Sequence, residues 1–336
     1  MFKILLLGLG SAGQRHLRIF KKIFKNKKIQ IFCIRETNRN LIIKDNLSTK
    51  ATSSLSKFYN LKKINYRELE KLNLNLAVIS NPISKHITSA IKLAKLKINL
   101  LIEKPLSHNN DKINLLNKIV KKNKILVRVG YQLRYNPGIK ILKEIIKTNQ
   151  LGKPISGLFY FGEYLPNMHK YEDYKKTHMS LKKQGGGAIN CLSHQIDLIN
   201  FLLGKPKKII SFFNKVSKLK INVEDNLHAI FFYKNLRKFT LNINFLKSPP
   251  RNFIFIEFEN GSAEWDYTKK YLVIHNYKTN KVLKKNFFKF KRNDMFEEQN
   301  REIINSIIKK RNNNNSFDTS LKTQEIITKL KNEIRK

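Results

Sequence analysis

Cysteine is nearly absent: Cys33 and Cys191 are the only two in 336 residues. That excludes a disulfide-stapled scaffold and points to a reducing compartment. Long apolar runs are missing as well, none approaching the roughly 18 residues that a membrane-spanning helix needs. The expectation is a cytoplasmic protein with no membrane partner. Acidic residues are scarce, 24 Asp and Glu against 67 Lys and Arg, for a formal net charge of +43. So large an excess could serve nucleic-acid or anionic-surface binding. However, the basic residues run from Lys3 to Lys336, interleaved with Asn and Ile, and form no long basic tail. Nucleic-acid binders concentrate charge on one face or motif, whereas Lys, Asn and Ile together are what an AT-rich genome overproduces. No specific nucleic acid is expected as a partner, and the charge is left to draw in phosphate-bearing small molecules. Histidines at metal-ligand spacing are lacking too, so no metal is expected.

What is present is an apolar fraction of 41% in a chain long enough for two cores. The first stretch, MFKILLLGLGSAGQRHLRIF, could open an exported protein or a nucleotide-binding domain. Export needs an unbroken apolar core and a cleavage site, yet Gly8 interrupts the run and Gln14-Arg15-His16 follows before any such site. The alternative is G-x-G-x-x-G at Gly8, Gly10 and Gly13, enclosing Ser11 and Ala12, directly after a strand-like segment. These glycines permit a tight turn, close approach of a pyrophosphate, and close packing of helix on strand. The pyrophosphate then rests on the N–H groups at the helix start.

Near-continuously apolar strands alternate with helical patterns as far as residue 127, as a parallel sheet covered on both faces requires. The fold class is therefore α/β, with a doubly wound Rossmann domain over 1–127. Residues 128–336 read as an α+β domain with a large, mostly antiparallel open sheet, helices at Pro137 to Thr148 and Cys191 to Leu203, and a helical tail. Strands such as NFIFIEF are apolar on both faces, so one face needs a cover beyond the domain's own helices. A homo-oligomer, dimer or tetramer, formed through that sheet is expected.

Four stretches, GLGSAGQRHLR, EKPLS, GYQLRYNP and GGGAINCLSHQIDLINFLLG, together resemble the Gfo/Idh/MocA oxidoreductases. The resemblance implies an NAD(P)-dependent dehydrogenase acting on a CH–OH group of a sugar, sugar nucleotide or polyol, in a cleft between the two domains. The segment GEYLPNMHKYEDYKK resembles members associated with surface-polysaccharide and sugar-nucleotide pathways. Lys104, in the hallmark Glu103-Lys104-Pro105, is the first catalytic candidate. It stands where a strand runs out, at the edge where open α/β sheets bind ligands, and a desolvated lysine there can move a hydroxyl proton. The family often has a cis bond before Pro105, and Glu103 joins the cofactor-binding set with its role open.

His194 is the second catalytic candidate, titrating near neutrality. Asn190, His194 and Asp197 are spaced i, i+4 and i+7, so one continuous helix would bring them to one ligand. Family members often carry an acid where this chain has Asn190. Asn81, Pro82 and His86 match the family's loop beneath the nicotinamide ribose. Arg134 and Tyr135 are substrate-facing candidates, with a structural salt bridge as the competing reading of Arg134. Tyr164, His169, Tyr171 and Tyr174 could line a sugar pocket or pack a loop, and Tyr171 is taken as a substrate contact. Past the second strand, Arg35 would welcome a 2'-phosphate and Glu36 would repel one, with a slight lean to NADP over NAD. A nicotinamide-nucleotide-sensing binding protein, or a cofactor-retaining epimerase or lyase on the same scaffold, are the alternative readings.

Overall fold

A computed structural model describes residues 1–25, 27–35, 40–311 and 315–332. The chain divides into two compact units, Met1–Gly130 with Phe296–Ser320, and Tyr131–Met295 with the residues from Leu321 on.

In the first unit come β1 (Phe2–Leu7), α1 (Ser11–Ile23), β2 (Ile29–Ile34), β3 (Leu41–Ile43), β4 (Thr49–Ala51) and α2 (Leu55–Phe58). They are followed by β5 (Lys62–Lys63), β6 (Leu76–Ile79), α3 (His86–Lys95), β7 (Asn99–Ile102), α4 (Ile113–Asn123) and β8 (Val127–Val129). Six strands form a sheet in the order β5-β2-β1-β6-β7-β8, and all its pairs are parallel. The central strands are buried on both faces, as in the four residues of β6, because helices cover the sheet above and below. From β1 the chain winds outward through β2, and from β6 it winds the other way. The strand order therefore reverses between β1 and β6, where a crevice opens beyond the carboxyl ends.

A hairpin of β3 and β4, which the hydrophobic pattern did not announce, is fastened to α1 by Gln14. Its Nε2 donates to the Leu41 carbonyl at 2.8 Å and its Oε1 accepts the Ile43 N–H at 2.9 Å. Residues 296–320 also group with this unit, whereas the sequence pattern assigned everything after 127 to the other. Packing explains the difference: Ile303 and Ile304 complete the core formed by Ile4, Leu17 and Phe20.

The second unit begins with α5 (Pro137–Lys147), β9 (Pro154–Gly162), α6 (Leu165–Met168), α7 (Ala188–Cys191) and α8 (His194–Leu203). Next are β10 (Lys208–Asn214), β11 (Asn226–Phe232), β12 (Lys238–Asn244), β13 (Arg251–Phe258), β14 (Gly261–Asp266), β15 (Tyr271–Asn276) and β16 (Lys281–Asn286). Helix α9 (Arg292–Ile308) starts in this unit and α10 (Asn315–Asn332) ends in it. The eight strands run in the order β10-β11-β12-β9-β13-β14-β15-β16, two meanders joined by β9, which is parallel to β12 and antiparallel to β13.

On one face, Phe159, Leu241, Ile254 and Ile256 pack with Ile196 and Ile199 of α8 and with Ile327 and Leu330 of α10. The opposite face carries Leu158, Tyr160, Phe253 and Phe255, which are only partly covered, with the Tyr160 and Phe253 rings stacked at 5.4 Å. At the sheet's edge all six residues of β16 are exposed. Among the described residues no helix is long and apolar enough to cross a membrane.

The expected helix from Cys191 to Leu203 is in fact two, α7 and α8, broken at Leu192 and Ser193. Gly187 precedes α7 with φ +105°, where a Cβ would overlap the Glu224 carboxylate. That carboxylate takes the Ile189 N–H at 3.1 Å, so a distant side chain fixes where the first short helix begins.

If residues 296–320 are integral to the first unit, Ile303→Ala should lower stability by about 2–5 kcal/mol, the usual cost of emptying a fully buried aliphatic site. Asn305→Ala, exposed on the same helix, should stay within about 0.5 kcal/mol. Denaturant unfolding of the two variants measures both, and equal effects would contradict the packing described.

Candidate active site

The carboxyl edge of the first sheet is built by glycines. At Gly8 the chain leaves β1 with φ +93°, a conformation that other residues rarely adopt. A Cβ on Gly8 would lie 2.8 Å from the Ser80 carbonyl oxygen, and one on Gly13 would overlap the Gly8 carbonyl and lie 2.7 Å from Ser80 Oγ. Gly10 is different. It caps α1, and nothing lies within 4 Å of the place its Cβ would take. The first helical bond of α1 runs from the Gln14 N–H to the Gly10 carbonyl, which leaves the N–H groups of Ser11, Ala12 and Gly13 ahead of the helical ladder. An open cradle of amides at a helix start fits a pyrophosphate. At the end of β2, Arg35 Nη1 lies 3.2 Å from Asn40 Oδ1. Glu36 lies outside the described residues.

Beyond β6, Asn81 Nδ2 donates to Ser89 Oγ at 3.0 Å, while its Oδ1 is buried with no hydrogen-bond partner. Pro82 leads into the turn before α3. His86 is fully buried, with Nδ1 2.9 Å from the Pro105 carbonyl and Nε2 3.0 Å from the Asn81 carbonyl. Burial pushes its pKa down, against the pull of the two carbonyls. Both ring nitrogens are engaged by backbone, so this expected cofactor contact instead ties the Asn81-Pro82 loop to the Pro105 turn.

Beyond β7 stands Lys104, half-buried, and the Lys104–Pro105 bond is cis. The Glu103 carboxylate, placed by the sequence among the cofactor contacts, faces protein: Oε1 takes a hydrogen bond from His16 Nε2 at 2.9 Å and Oε2 one from the Lys104 N–H at 3.2 Å.

The second unit contributes a cavity of about 410 Å³, whose lining includes Gln132, His194, Asn252, Tyr267, Phe287 and Phe290. Aromatic walls with a few amides suit a polyhydroxylated ring, whose C–H faces pack on rings while its hydroxyls bond to amides. His194 is nearly buried, with its Nε2 3.2 Å from Gln132 Nε2 and the Tyr131 ring edge-on at 6.0 Å. An amide nitrogen only donates, so Nε2 accepts, and the neutral ring carries its proton on Nδ1.

Asn190 and Asp197 do not join His194 there, because each is engaged by other groups of the protein. Asn190 Nδ2 donates to the carbonyls of Gly185 at 2.8 Å and Gly186 at 3.3 Å, and its Oδ1 accepts from Lys331 Nζ at 2.7 Å. Asp197 accepts from Arg134 Nε at 2.8 Å, Arg134 Nη2 at 2.5 Å and Thr323 Oγ1 at 2.8 Å. Arg134 is thus half of a buried ion pair and not a substrate contact: burial opposes its charge, and the Asp197 carboxylate outweighs that. Tyr135 packs against the apolar core, and Tyr171 stacks on His169 at 5.3 Å, outside the cavity lining. Gln132 and Asn252 escaped the sequence reading because a lone amide carries no pattern. Phe287 and Phe290 were hidden by a lysine-rich surround.

Residues 2–131 match the model of the oxidoreductase family with an NAD-binding Rossmann fold, and residues 139–264 match the GFO/IDH/MocA C-terminal domain. A scyllo-inositol 2-dehydrogenase (NAD(+)) of Bacillus subtilis (strain 168) is 27% identical over 139 residues, 41% of this chain and 38% of that protein. A myo-inositol 2-dehydrogenase of Thermotoga maritima is 24% identical over 203 residues, 60% of this chain and 55% of that protein. The matches therefore span only about two fifths to just over half of these relatives' own length. Among solved structures, a levoglucosan dehydrogenase in complex with NADH superposes with a TM-score of 0.82 at 14% identity, covering 98% of this chain and 96% of that one. A UDP-N-acetylglucosamine 3-dehydrogenase from Acidithiobacillus ferrooxidans gives 0.77 at 14% identity, covering 99% and 97%. At such identities the likeness shows the fold.

The glycine geometry separates two substitutions. Gly10→Val should leave the melting temperature unchanged and weaken nicotinamide dinucleotide binding about 100-fold or more, ~2.7 kcal/mol, because its side chain enters only the space a pyrophosphate needs. Gly13→Ala should instead lower the melting temperature by several degrees, since its methyl collides with backbone. Calorimetry and dinucleotide titration of both variants check the contrast.

Proposed function

The chain belongs to the GFO/IDH/MocA oxidoreductase family, and from that premise we propose that it is a dehydrogenase of sugars, sugar nucleotides or polyols. It would interconvert a secondary alcohol and a ketone in surface carbohydrate biosynthesis. The observation that carries the reading is the common edge of the first sheet. β1, β6 and β7 are adjacent and parallel, so the Gly8–Gly13 cradle, Asn81 and Lys104 all follow carboxyl ends of neighbouring strands. The nicotinamide, when bound, supplies the hydride acceptor or donor. Lys104 then takes the hydroxyl proton as the alcohol becomes a ketone, or returns it in reduction. His194, whose Nε2 is already held by Gln132, orients the substrate within the cavity of the second unit. We assign NADP as the preferred coenzyme on Arg35, the cation that follows β2, which a 2'-phosphate would engage.

Screening UDP-, GDP- and CMP-sugars, free polyols and sugar acids for absorbance change at 340 nm, with NAD and with NADP, tests the activity. Lys104→Met should cut kcat by about 100-fold or more with coenzyme affinity nearly unchanged, while His194→Asn should act mainly on KM. If His194→Asn is the more damaging to kcat, the two roles are exchanged. If both variants keep wild-type turnover, the dehydrogenase mechanism is wrong.

We also propose a homo-oligomer through the outer face of the eight-stranded sheet. Leu158, Tyr160, Phe253 and Phe255 form a contiguous apolar strip there across the paired β9 and β13, and such a strip is covered in stable proteins. Sedimentation at micromolar concentration should show the oligomer, and Phe255→Lys should dissociate it. A wild-type chain that sediments as a monomer would contradict the interface.

A further inference from the structure

The reaction outlined above leaves His16 without a part, yet its ring is matched on both sides. The residue lies on α1, the helix that begins at the phosphate cradle, and is fully buried. Its Nδ1 is 3.1 Å from Asn300 Nδ2 on α9, and its Nε2 is 2.9 Å from Glu103 Oε1. The amide nitrogen donates, so Nδ1 accepts, and Nε2 carries the proton that is given to the carboxylate. Phe20, stacked at 6.2 Å, and Phe296, edge-on at 5.6 Å, restrict the ring.

Glu103 is held in turn. Its Oε2 accepts the Lys104 N–H at 3.2 Å. It also occupies room left by a glycine, since a Cβ on Gly130 would lie 3.1 Å from that oxygen. Burial alone would raise the Glu103 pKa; the hydrogen bond from His16, the Lys104 charge and the Lys104 N–H outweigh it and hold the carboxyl below its usual value. The charged or titratable groups around the carboxylate are His16 from α1, Lys104 at its own strand end and His86 from α3.

We propose that His16 is a positioning residue for Lys104: its hydrogen bond holds the Glu103 carboxylate against the Lys104 N–H, fixing how the lysine leaves the strand and which charge its amine faces. The proposal rests on Lys104 being the proton-transfer group of the reaction above. It links the helix that carries the cofactor cradle to the residue that moves the proton, through one buried imidazole.

Two conservative variants separate positioning from space-filling. In His16→Gln the amide nitrogen falls near the former Nε2 and still donates to Glu103. In His16→Asn the shorter amide reaches only the former Nδ1 position, keeping Asn300 but abandoning Glu103. With the substrate found by the screen, His16→Gln should stay within about threefold of wild-type kcat. His16→Asn should lose about tenfold or more, with coenzyme affinity within about twofold, the signature of an interaction felt in the transition state. In a Glu103→Gln background, His16→Asn should cost nothing further.

A readout independent of turnover is acylation of Lys104 by acetic anhydride, followed by mass spectrometry across pH. A carboxylate that loses its donor is no longer held beside Lys104, and the amine loses the neighbouring negative charge that favours its ammonium form. The labelling midpoint should therefore move down by about one pH unit in His16→Asn and stay in place in His16→Gln. Should His16→Asn not fold, Glu103→Gln must give the same midpoint shift. Equal kcat and equal midpoints in the two histidine variants would overturn the proposal. Wild-type turnover in Lys104→Met would instead sink the reaction reading, and the midpoints would still decide whether His16 acts on Lys104.

Discussion

One steric condition governs the first unit: α1 starts so close to the ends of β1 and β6 that no side chain fits between them. The Gly8 carbonyl and Ser80 fill the place where a Gly13 methyl would go, and Ser80 Oγ donates to the carbonyls of Leu7 and Gly8, both at 3.0 Å. Because the helix is seated there, its first amides open beside the sheet edge. His16, about one turn further along, then comes within reach of Glu103. Had the helix stood one carbon further out, the cradle and the carboxylate tie would both be lost.

The second unit solves a different problem, that of holding polar groups inside an apolar shell. Asp197 accepts three hydrogen bonds, two from Arg134 and one from Thr323 of α10. A carboxylate without those donors would be costly, since removing one partner of a buried ion pair costs about 3–5 kcal/mol. The Arg134 guanidinium also lies over the rings of Tyr131 and Phe201, each 5.4 Å away. The ion pair therefore braces the residue whose ring borders His194, and it does so from outside the cavity. Nearby, Lys331 is a half-buried cation, lowered in pKa by burial, and its donation to Asn190 fastens the end of α10.

Much of this was legible in the sequence where the signal is local. The parallel strands are short apolar runs, the cradle is a glycine spacing beside one of them, and Lys104 is marked by its neighbours Glu103 and Pro105. Failure came where structure is imposed from far along the chain. AINCLSHQIDLINFLL keeps a helical apolar pattern throughout, and nothing in it marks the break at Leu192 and Ser193 or the start of α7, which is set by Glu224, 35 residues from the amide it holds. Arg134 and Asp197 pair across 63 residues, so the spacing that seemed to aim Asp197 at a ligand carried no information about its partner. β16 was hidden for another reason: KVLKKN sets one apolar pair among lysines with no alternation, and only its place beside β15 makes it a strand.

That last strand has a consequence for the behaviour of the chain in bulk. An unpaired sheet edge is a template on which another strand can add, the usual route to fibrils. Here β16 presents Lys281, Lys284 and Lys285 along six exposed residues. An approaching copy would have to bring its own lysines against them at a spacing of about 5 Å, which makes ribbon growth electrostatically unfavourable. The cationic excess of the chain thus acts at this margin as a guard against aggregation.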